Sequence, residues 1–188
     1  MWSYSGRSEY MINLIAERLR LRPFEIGDLE TARSWVNDPE IAFQVIRFLP
    51  VSSAEQEEWY HNIVRDRKRV IFAIELLDND AYIGNTGLNN IDFYHRKAEF
   101  WIYIGDKNAQ AKGYGTEATG LMVRYALESL NLLKIYLRVL QENERAVKVY
   151  KKIGFEIEGR LKYDVYLCGK YRDILLMAFY GKEIKCEL

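Results

Sequence analysis

The sequence has no charge excess of either sign, and this limits the partners that we expect for it. Its 188 residues contain 27 basic and 27 acidic side chains, so the formal net charge is zero at neutral pH. Nucleic-acid-binding proteins usually carry a basic excess. Hydrophobic residues still make up 49% of the chain, which excludes wholesale disorder. We therefore expect a folded chain with no nucleic-acid partner.

Cysteines and long hydrophobic runs are also scarce. The two cysteines, Cys168 and Cys186, form no CxxC pair, which argues against a disulfide scaffold and a cysteine-based zinc site. The apolar run around 175–180 is far shorter than the ~20 residues that cross a bilayer. The first ten residues contain no apolar signal core. These absences predict a cytoplasmic protein with no membrane partner.

The length favours a single domain, because domains usually contain roughly 100–200 residues. We expect an irregular leader at 1–12, one domain at 13–182 and a C-terminal tail at 183–188. Hydrophobic periodicity predicts helices that begin near Asp28, Ser52, Gly115 and Asn143. It predicts strands at 14–22, 70–77, 81–90, 98–104, 134–140, 155–167 and 170–180. This order indicates an α+β fold, a mixed sheet flanked by helices.

The charge is unevenly distributed along the chain. Between Gln110 and Lys152 there are eight basic but only four acidic residues. This window opens with Gln110–Thr116, whose two glycines precede the most regular predicted helix. Glycines let backbone N–H groups converge on a ligand, and the positive end of a helix dipole attracts phosphate. The segment therefore predicts a pyrophosphate site, although a turn that only starts a helix has the same pattern.

Two other nucleotide motifs fit this segment less well. The P-loop pattern GxxxxGK[ST] is absent. The dinucleotide pattern GxGxx[GA] is formally matched by Gly113, Gly115 and Ala118, but that motif normally opens a parallel sheet. Here a largely antiparallel pattern precedes it, and only about 70 residues follow it. A dinucleotide enzyme is therefore the disfavoured alternative.

This segment is the first of three motifs that follow one another along the chain. QxxGxG occupies 110–115, NERA occupies 143–146 and YKKIGF occupies 150–155. In this order the motifs resemble the GNAT superfamily of acetyl-CoA-dependent N-acetyltransferases. The start ERLRLRPFEIGD, the phrase LNLLKIYLRV and the end EGRLKYDVYLCGKYRDILLMAF resemble its ribosomal-protein N-terminal and spermidine acetyltransferase branch. The resemblance implies a GNAT-like fold, with central strands splayed around the cofactor, and acetyl-CoA as co-substrate.

The resemblance also implies roles for individual residues. The strand before the glycine turn would offer backbone groups to the pantetheine arm at Tyr103, Ile104 and Gly105. The residues that would hold the pyrophosphate are Gln110, Ala111, Lys112, Gly113, Tyr114, Gly115 and Thr116. Asn143 and Arg145 would meet the cofactor from the other side. Tyr150 matches the family's general acid, and Glu99 matches an acidic position proposed as the base.

These residue types suit amine acetylation by direct attack in a ternary complex. An alkyl ammonium has a pKa near ~10, and a carboxylate can take its proton directly or through water. A phenol can then protonate the CoA thiolate. The residues alone leave open that Tyr150 is a core tyrosine and that Glu99 faces solvent. His61 and His95 have no second ligand at i+3 or i+4, so we expect no metal.

The absence of acidic residues at two places limits the amine acceptors that we expect. The polyamine enzymes that the chain resembles carry acidic residues on the strand after the first hairpin turn and in the loop after the first helix. Here these places hold Gly84–Asn90 and Arg47–Pro50, which contain no acid. We therefore expect a small-molecule or peptide amine, with a protein N-terminus or an amino-sugar nucleotide favoured. The alternatives are a polyamine acetyltransferase and a catalytically silent acyl-CoA-binding module, and a homodimer is the candidate assembly.

Overall fold

The computed structural model describes residues 14–181; the expected leader at 1–12 and tail at 183–188 lie outside them. Seven strands form one sheet in the order β1-β2-β3-β4-β5-β7-β6. They are Leu19–Pro23 (β1), Val70–Leu76 (β2), Tyr82–Asp92 (β3), Lys97–Ile104 (β4), Lys134–Leu140 (β5), Glu156–Leu167 (β6) and Lys170–Tyr180 (β7). The helices are Leu29–Val36 (α1), Pro39–Gln44 (α2), Ser53–Ile63 (α3), Tyr114–Arg124 (α4) and Glu144–Ile153 (α5). The predicted mixed sheet flanked by helices is confirmed.

Two local elements differ from the predictions. The strand expected at 14–22 is shorter, because the chain turns back on itself and Leu21 donates its N–H to the Leu14 carbonyl at 2.8 Å. Helix α1 begins beside Asp28 as predicted and ends at Val36, but a second short helix, which was not predicted, follows at once. Asp38 caps it by accepting from the Glu40 N–H at 2.9 Å, and Pro39 occupies the first helical position, where its missing N–H costs nothing.

The core consists of two layers, one on each face of the sheet. The layer under α4 and α5 contains fully buried side chains such as Leu19, Ile74, Leu88, Met122 and Ile135. The opposite layer is smaller and lies under α1 and α3. Its buried residues are Phe24, Leu29, Ala32 and Ala73. Alternate residues of the central strands therefore face different helices.

The parallel contact between β4 and β5 is short. Their register extends only from Lys97 opposite Lys134 to Glu99 opposite Tyr136. Beyond that point β4 remains paired with β3, and β5 with β7. A wedge therefore opens between the two central strands.

Backbone groups of β4 face this wedge at alternate residues. The Gly105 N–H donates to the Ile83 carbonyl of β3 at 2.8 Å. Since backbone polar groups alternate between the two sides of an antiparallel strand, the odd-numbered residues pair with β3. The backbone N–H and C=O groups of Phe100, Ile102 and Ile104 are therefore directed toward the wedge.

A cluster of charged side chains ties β1 to β2 and to the start of α1. Glu75, only 6% exposed, accepts from Arg22 at 2.5 Å and from Arg20 at 2.6 Å. Arg22 also donates to both Asp28 oxygens at 2.7 and 2.8 Å. Burial alone would raise the pKa of Glu75, but its hydrogen bonds with the two arginines hold that pKa below the usual value.

We expect Glu75→Gln to lower the free energy of unfolding by about 2 kcal/mol, because breaking a buried ion pair is costly and these arginines are partly exposed. The lowered pKa means that the stabilisation is present above the unfolded value near ~4.3 and disappears as pH falls through the folded value. Urea unfolding at pH 7 and pH 3 measures both effects. The control is Glu30→Gln, which removes an exposed ion pair with Arg33. If both variants lower the free energy of unfolding equally, Glu75 does not have the stabilising role assigned to it.

Candidate active site

A cavity of about 1060 Å³ occupies the wedge and extends under α1 and α3. It is lined by residues of β3, β4 and β5, the segment before α4, and α5. Of the catalytic and cofactor-binding residues expected from the resemblance, all but Gly105 and Lys112 line it. The structure thus brings the motifs from distant parts of the chain to one place.

The segment before α4 forms a cradle of backbone N–H groups. Ala111 and Gly113 adopt left-handed conformations, with φ of 63° and 89°. Thr116 N–H donates to the Gly113 carbonyl at 3.0 Å, whereas within residues 14–181 nothing accepts from the N–H groups of Gly113, Tyr114 and Gly115. The Gln110 side chain donates to the Ile104 carbonyl at 3.0 Å and fixes the cradle to β4. This geometry fits an anion such as pyrophosphate.

Positive charge from Arg18, the residue just before β1, lies beside the cradle, a feature absent from the sequence analysis. An Arg18 Nη atom lies 3.1 Å from the position that a Cβ atom on Gly113 would take. The guanidinium covers the Tyr114 ring at 4.7 Å and pairs with Glu117. Arg18 is almost 100 residues from the glycines in sequence, so no local motif connects it to them.

Gly105 has a packing role at the end of β4. A side chain there would overlap the ring of Trp35 on α1. Trp35 in turn contacts Tyr82, with ring centroids 4.7 Å apart. Gly105 therefore lets α1 approach the end of β4, although it does not line the cavity.

Tyr150 lies on α5, on the face of the sheet that carries Phe100. Asn143 caps the helix by accepting from the Ala146 N–H at 3.1 Å. The Tyr150 ring meets the Phe100 ring edge-on at 6.2 Å, and the residue is 9% exposed. Burial raises the pKa of Tyr150 to about 12. The phenol is therefore protonated at neutral pH, and none of the described residues hydrogen-bonds it.

Glu99 approaches the wedge from the other face of β4. It is half-buried, lines the cavity and accepts from the Asn90 side-chain amide at 3.1 Å. It stands opposite Tyr136 at the point where β4 and β5 separate. Burial and the nearby Glu99 charge both raise the pKa of Tyr136. Adjacent residues of a strand face opposite ways. Glu99 therefore lies on one face of β4 and Phe100, which contacts Tyr150, lies on the other, both at the start of the wedge.

Asn85 and Trp101 also line the cavity, and sequence analysis missed them. Asn85 is fully buried, and its Oδ1 accepts from the Tyr103 hydroxyl at 3.3 Å and from the Tyr82 hydroxyl. A Cβ atom on Gly87 would lie 2.8 Å from the Trp101 indole. The only sequence signal was the glycine at 87, which leaves room for this ring.

Residues 14–181 offer neither a metal-binding cluster nor a membrane-spanning helix. No three His, Cys, Asp or Glu side chains within that range are grouped to hold a metal ion. His95 instead pairs with Asp92 at 2.7 Å. None of the helices in the described part of the chain is long and apolar enough to cross a membrane.

Comparison with known proteins gives a family match over most of the chain. A family model described as "Acetyltransferase (GNAT) domain" matches residues 18–156. The spermidine N(1)-acetyltransferase of Escherichia coli K12 is 32% identical over 182 residues, which cover 92% of this chain and 91% of that protein.

Solved structures agree with this match. A crystal structure of spermidine N-acetyltransferase from Vibrio cholerae, in complex with CoA and spermine, is 33% identical with a TM-score of 0.83. The match covers 86% of this chain and 95% of that one. Another structure of that enzyme, 32% identical over 86% of this chain and 93% of that one with a TM-score of 0.75, is dodecameric. That assembly is larger than the homodimer considered from the sequence.

Gly115→Val tests the cradle. A Cβ atom there lies 3.9 Å from Ile104 without a clash, so the fold should survive while the new methyl groups block the N–H groups. We expect the Kd of coenzyme A, measured by calorimetry, to rise at least about tenfold. The matched control is Gly120→Val on the same helix, where a Cβ atom meets nothing within 4 Å. Equal affinities of the two variants would disprove the cradle.

Proposed function

This chain belongs to the GNAT acetyltransferase family, and we propose that it acetylates a primary amine on a protein N-terminus or an amino-sugar nucleotide. It is an acetyl-CoA-dependent N-acetyltransferase. The acceptor and the roles of individual residues make up the proposal. One observation carries it: a protonated phenol and a carboxylate flank the wedge beside a cradle of backbone N–H groups.

The cofactor site is proposed to run along β4 and into the cradle. Within Gln110–Thr116, the pyrophosphate binds the free N–H groups of Gly113, Tyr114 and Gly115, and Arg18, which also pairs with Glu117, lies beside it. The pantetheine arm contacts the wedge-facing backbone groups of Ile102 and Ile104. The odd-numbered Tyr103 and Gly105 direct their backbone groups to β3, so we assign them a supporting role. Asn143 and Arg145 contact the cofactor from α5, and Lys112, outside the cavity lining, contributes only charge.

The bound acetyl-CoA supplies an acetyl group activated as a thioester. Glu99 accepts the proton of the incoming ammonium, directly or through a water. Backbone N–H groups of β4 hold the carbonyl oxygen as negative charge develops on it. Tyr150, kept protonated by burial, donates its proton to the departing sulfur. Attack is direct, so no residue of the chain carries the acetyl group.

A polyamine acceptor is the second candidate, because the relatives named above are spermidine acetyltransferases. A polycation needs free carboxylates, and those near this cavity are largely engaged. Glu55 accepts from the Ser52 N–H and hydroxyl, both at 2.8 Å. Glu142 pairs with Arg172. Glu55 and Glu99 keep their charge, but Arg47, Arg138 and Arg145 line the cavity beside the three carboxylates, so the lining has no negative excess and favours a singly charged amine.

Tyr150→Phe removes the proton donor and keeps the ring packing. We expect kcat to fall by about 10²–10⁴-fold, with the Kd of acetyl-CoA and the Tm near wild type. Since the pKa of Tyr150 is about 12, wild-type kcat should not fall between pH 7 and pH 10 through loss of this proton. The control is Tyr125→Phe, a tyrosine that packs on Phe72 outside the cavity lining. Full turnover by Tyr150→Phe would remove it from the mechanism.

Glu99→Gln removes the proposed base. We expect the largest loss of kcat/KM at low pH, where the amine is protonated, and recovery as the amine loses its proton in solution. A pH profile from 6 to 10 measures this. The control is Glu128→Gln, an exposed residue in the helical turn that follows α4. A loss that is the same at every pH would mean that Glu99 only positions the site.

A further inference from the structure

Two buried N–H donors in the cavity wall lack a hydrogen-bond acceptor. They are the Asn85 Nδ2 and Trp101 Nε1 atoms. No group in residues 14–181 accepts a hydrogen bond from either of them. Asn85 is fully buried, and both side chains line the cavity. An unpaired buried donor is costly and rare in folded proteins. A ligand oxygen at this place would remove the cost.

Both donors lie on the face of the sheet that carries Glu99. Trp101 stands opposite Gly87 and Asn85 opposite Tyr103, so the two are diagonal neighbours across β3 and β4. Trp101 is two residues from Glu99, which corresponds to about 6.6 Å along a strand. An oxygen bound by these donors therefore lies a few bonds away from an amine placed at Glu99.

The surroundings of the donors are not suited to a polycation. Gln56 is 8% exposed and lines the cavity, and its side-chain amide is hydrogen-bonded by no other described residue. Arg47 also lines the cavity. Burial raises the pKa of Tyr103 and the Arg47 guanidinium partly opposes that rise, so this positive charge lies near Tyr103. Apolar rings of Phe24 and Trp59 complete this side.

We infer that Asn85 and Trp101 select an acceptor amine flanked by an uncharged oxygen, such as a peptide carbonyl or a sugar hydroxyl. The oxygen accepts hydrogen bonds from Trp101 Nε1 and Asn85 Nδ2 while the amine lies beside Glu99. The inference rests on the proposed function, because it names the acceptor class of the same site. A polyamine has donors in place of this oxygen and leaves both N–H groups unpaired.

The first test compares acceptors by thiol release from acetyl-CoA. The panel is a tetrapeptide amide with a free α-amine, a UDP-4-amino sugar, n-butylamine and spermidine, each corrected to the concentration of neutral amine. We expect the peptide or the amino sugar to exceed n-butylamine at least tenfold in kcat/KM, and the better of the two identifies the source of the oxygen. If spermidine exceeds both, the inference is wrong but the acetyltransferase assignment survives. If no amine releases thiol although CoA binds, the proposed function fails.

The second test removes one donor and keeps an aromatic ring. Trp101→Phe should lower kcat/KM at least tenfold for the preferred flanked amine and less than twofold for n-butylamine. Tyr125→Phe, which changes an aromatic residue packed on Phe72 outside the cavity lining, is the control and should leave this ratio unchanged. Asn85→Leu provides the same comparison if Trp101→Phe does not fold. An equal loss for all amines would show that these residues only pack, and would overturn the inference.

Discussion

The parting of β4 from β5 after Glu99 and Tyr136 is the constraint on which the site depends. A sheet that stops pairing in its middle leaves backbone groups that need other partners. The Gln110 side chain satisfies the Ile104 carbonyl, and an extended ligand arm can satisfy others. The same parting gives the cavity its depth, because side chains from both faces of β4 border the gap.

Two helix starts converge on this gap, and each depends on a local sequence feature. Helix α4 begins at a left-handed Gly113, which leaves its first N–H groups without side-chain caps. Helix α5 begins with Asn143, whose side chain does cap it. The uncapped end is thus available to an anion, while the capped end holds Tyr150 rigidly two turns farther along. In the proposed mechanism, anion binding and proton donation are therefore divided between the two helices.

Sequence reasoning predicted the elements whose signals are local. The strands Lys134–Leu140 and Lys170–Tyr180 were predicted at their observed bounds, because apolar runs end there at turns. The helix Pro39–Gln44 was missed, since Asn37–Pro39 has the pattern of a terminator although Asp38 also caps a new turn. Arg18, Asn85 and Trp101 could not be found, because their placement depends on strand pairing across long sequence separations. The segment Gln110–Thr116 was singled out from its own glycine pattern, whereas the roles of Tyr150, Glu99, Asn143 and Arg145 came from the resemblance; all of these roles remain predictions.

The alternation of β4 gives one strand two separate functions. Its even-numbered residues carry the backbone groups of the wedge and the contact between Phe100 and Tyr150. Its odd-numbered side chains, Glu99, Trp101 and Tyr103, form the opposite wall. A one-residue slip in strand register exchanges every side chain between faces. Insertions or deletions inside β4 should therefore be far less tolerated in evolution than substitutions, and acceptor preference can diverge at odd positions while cofactor binding is retained.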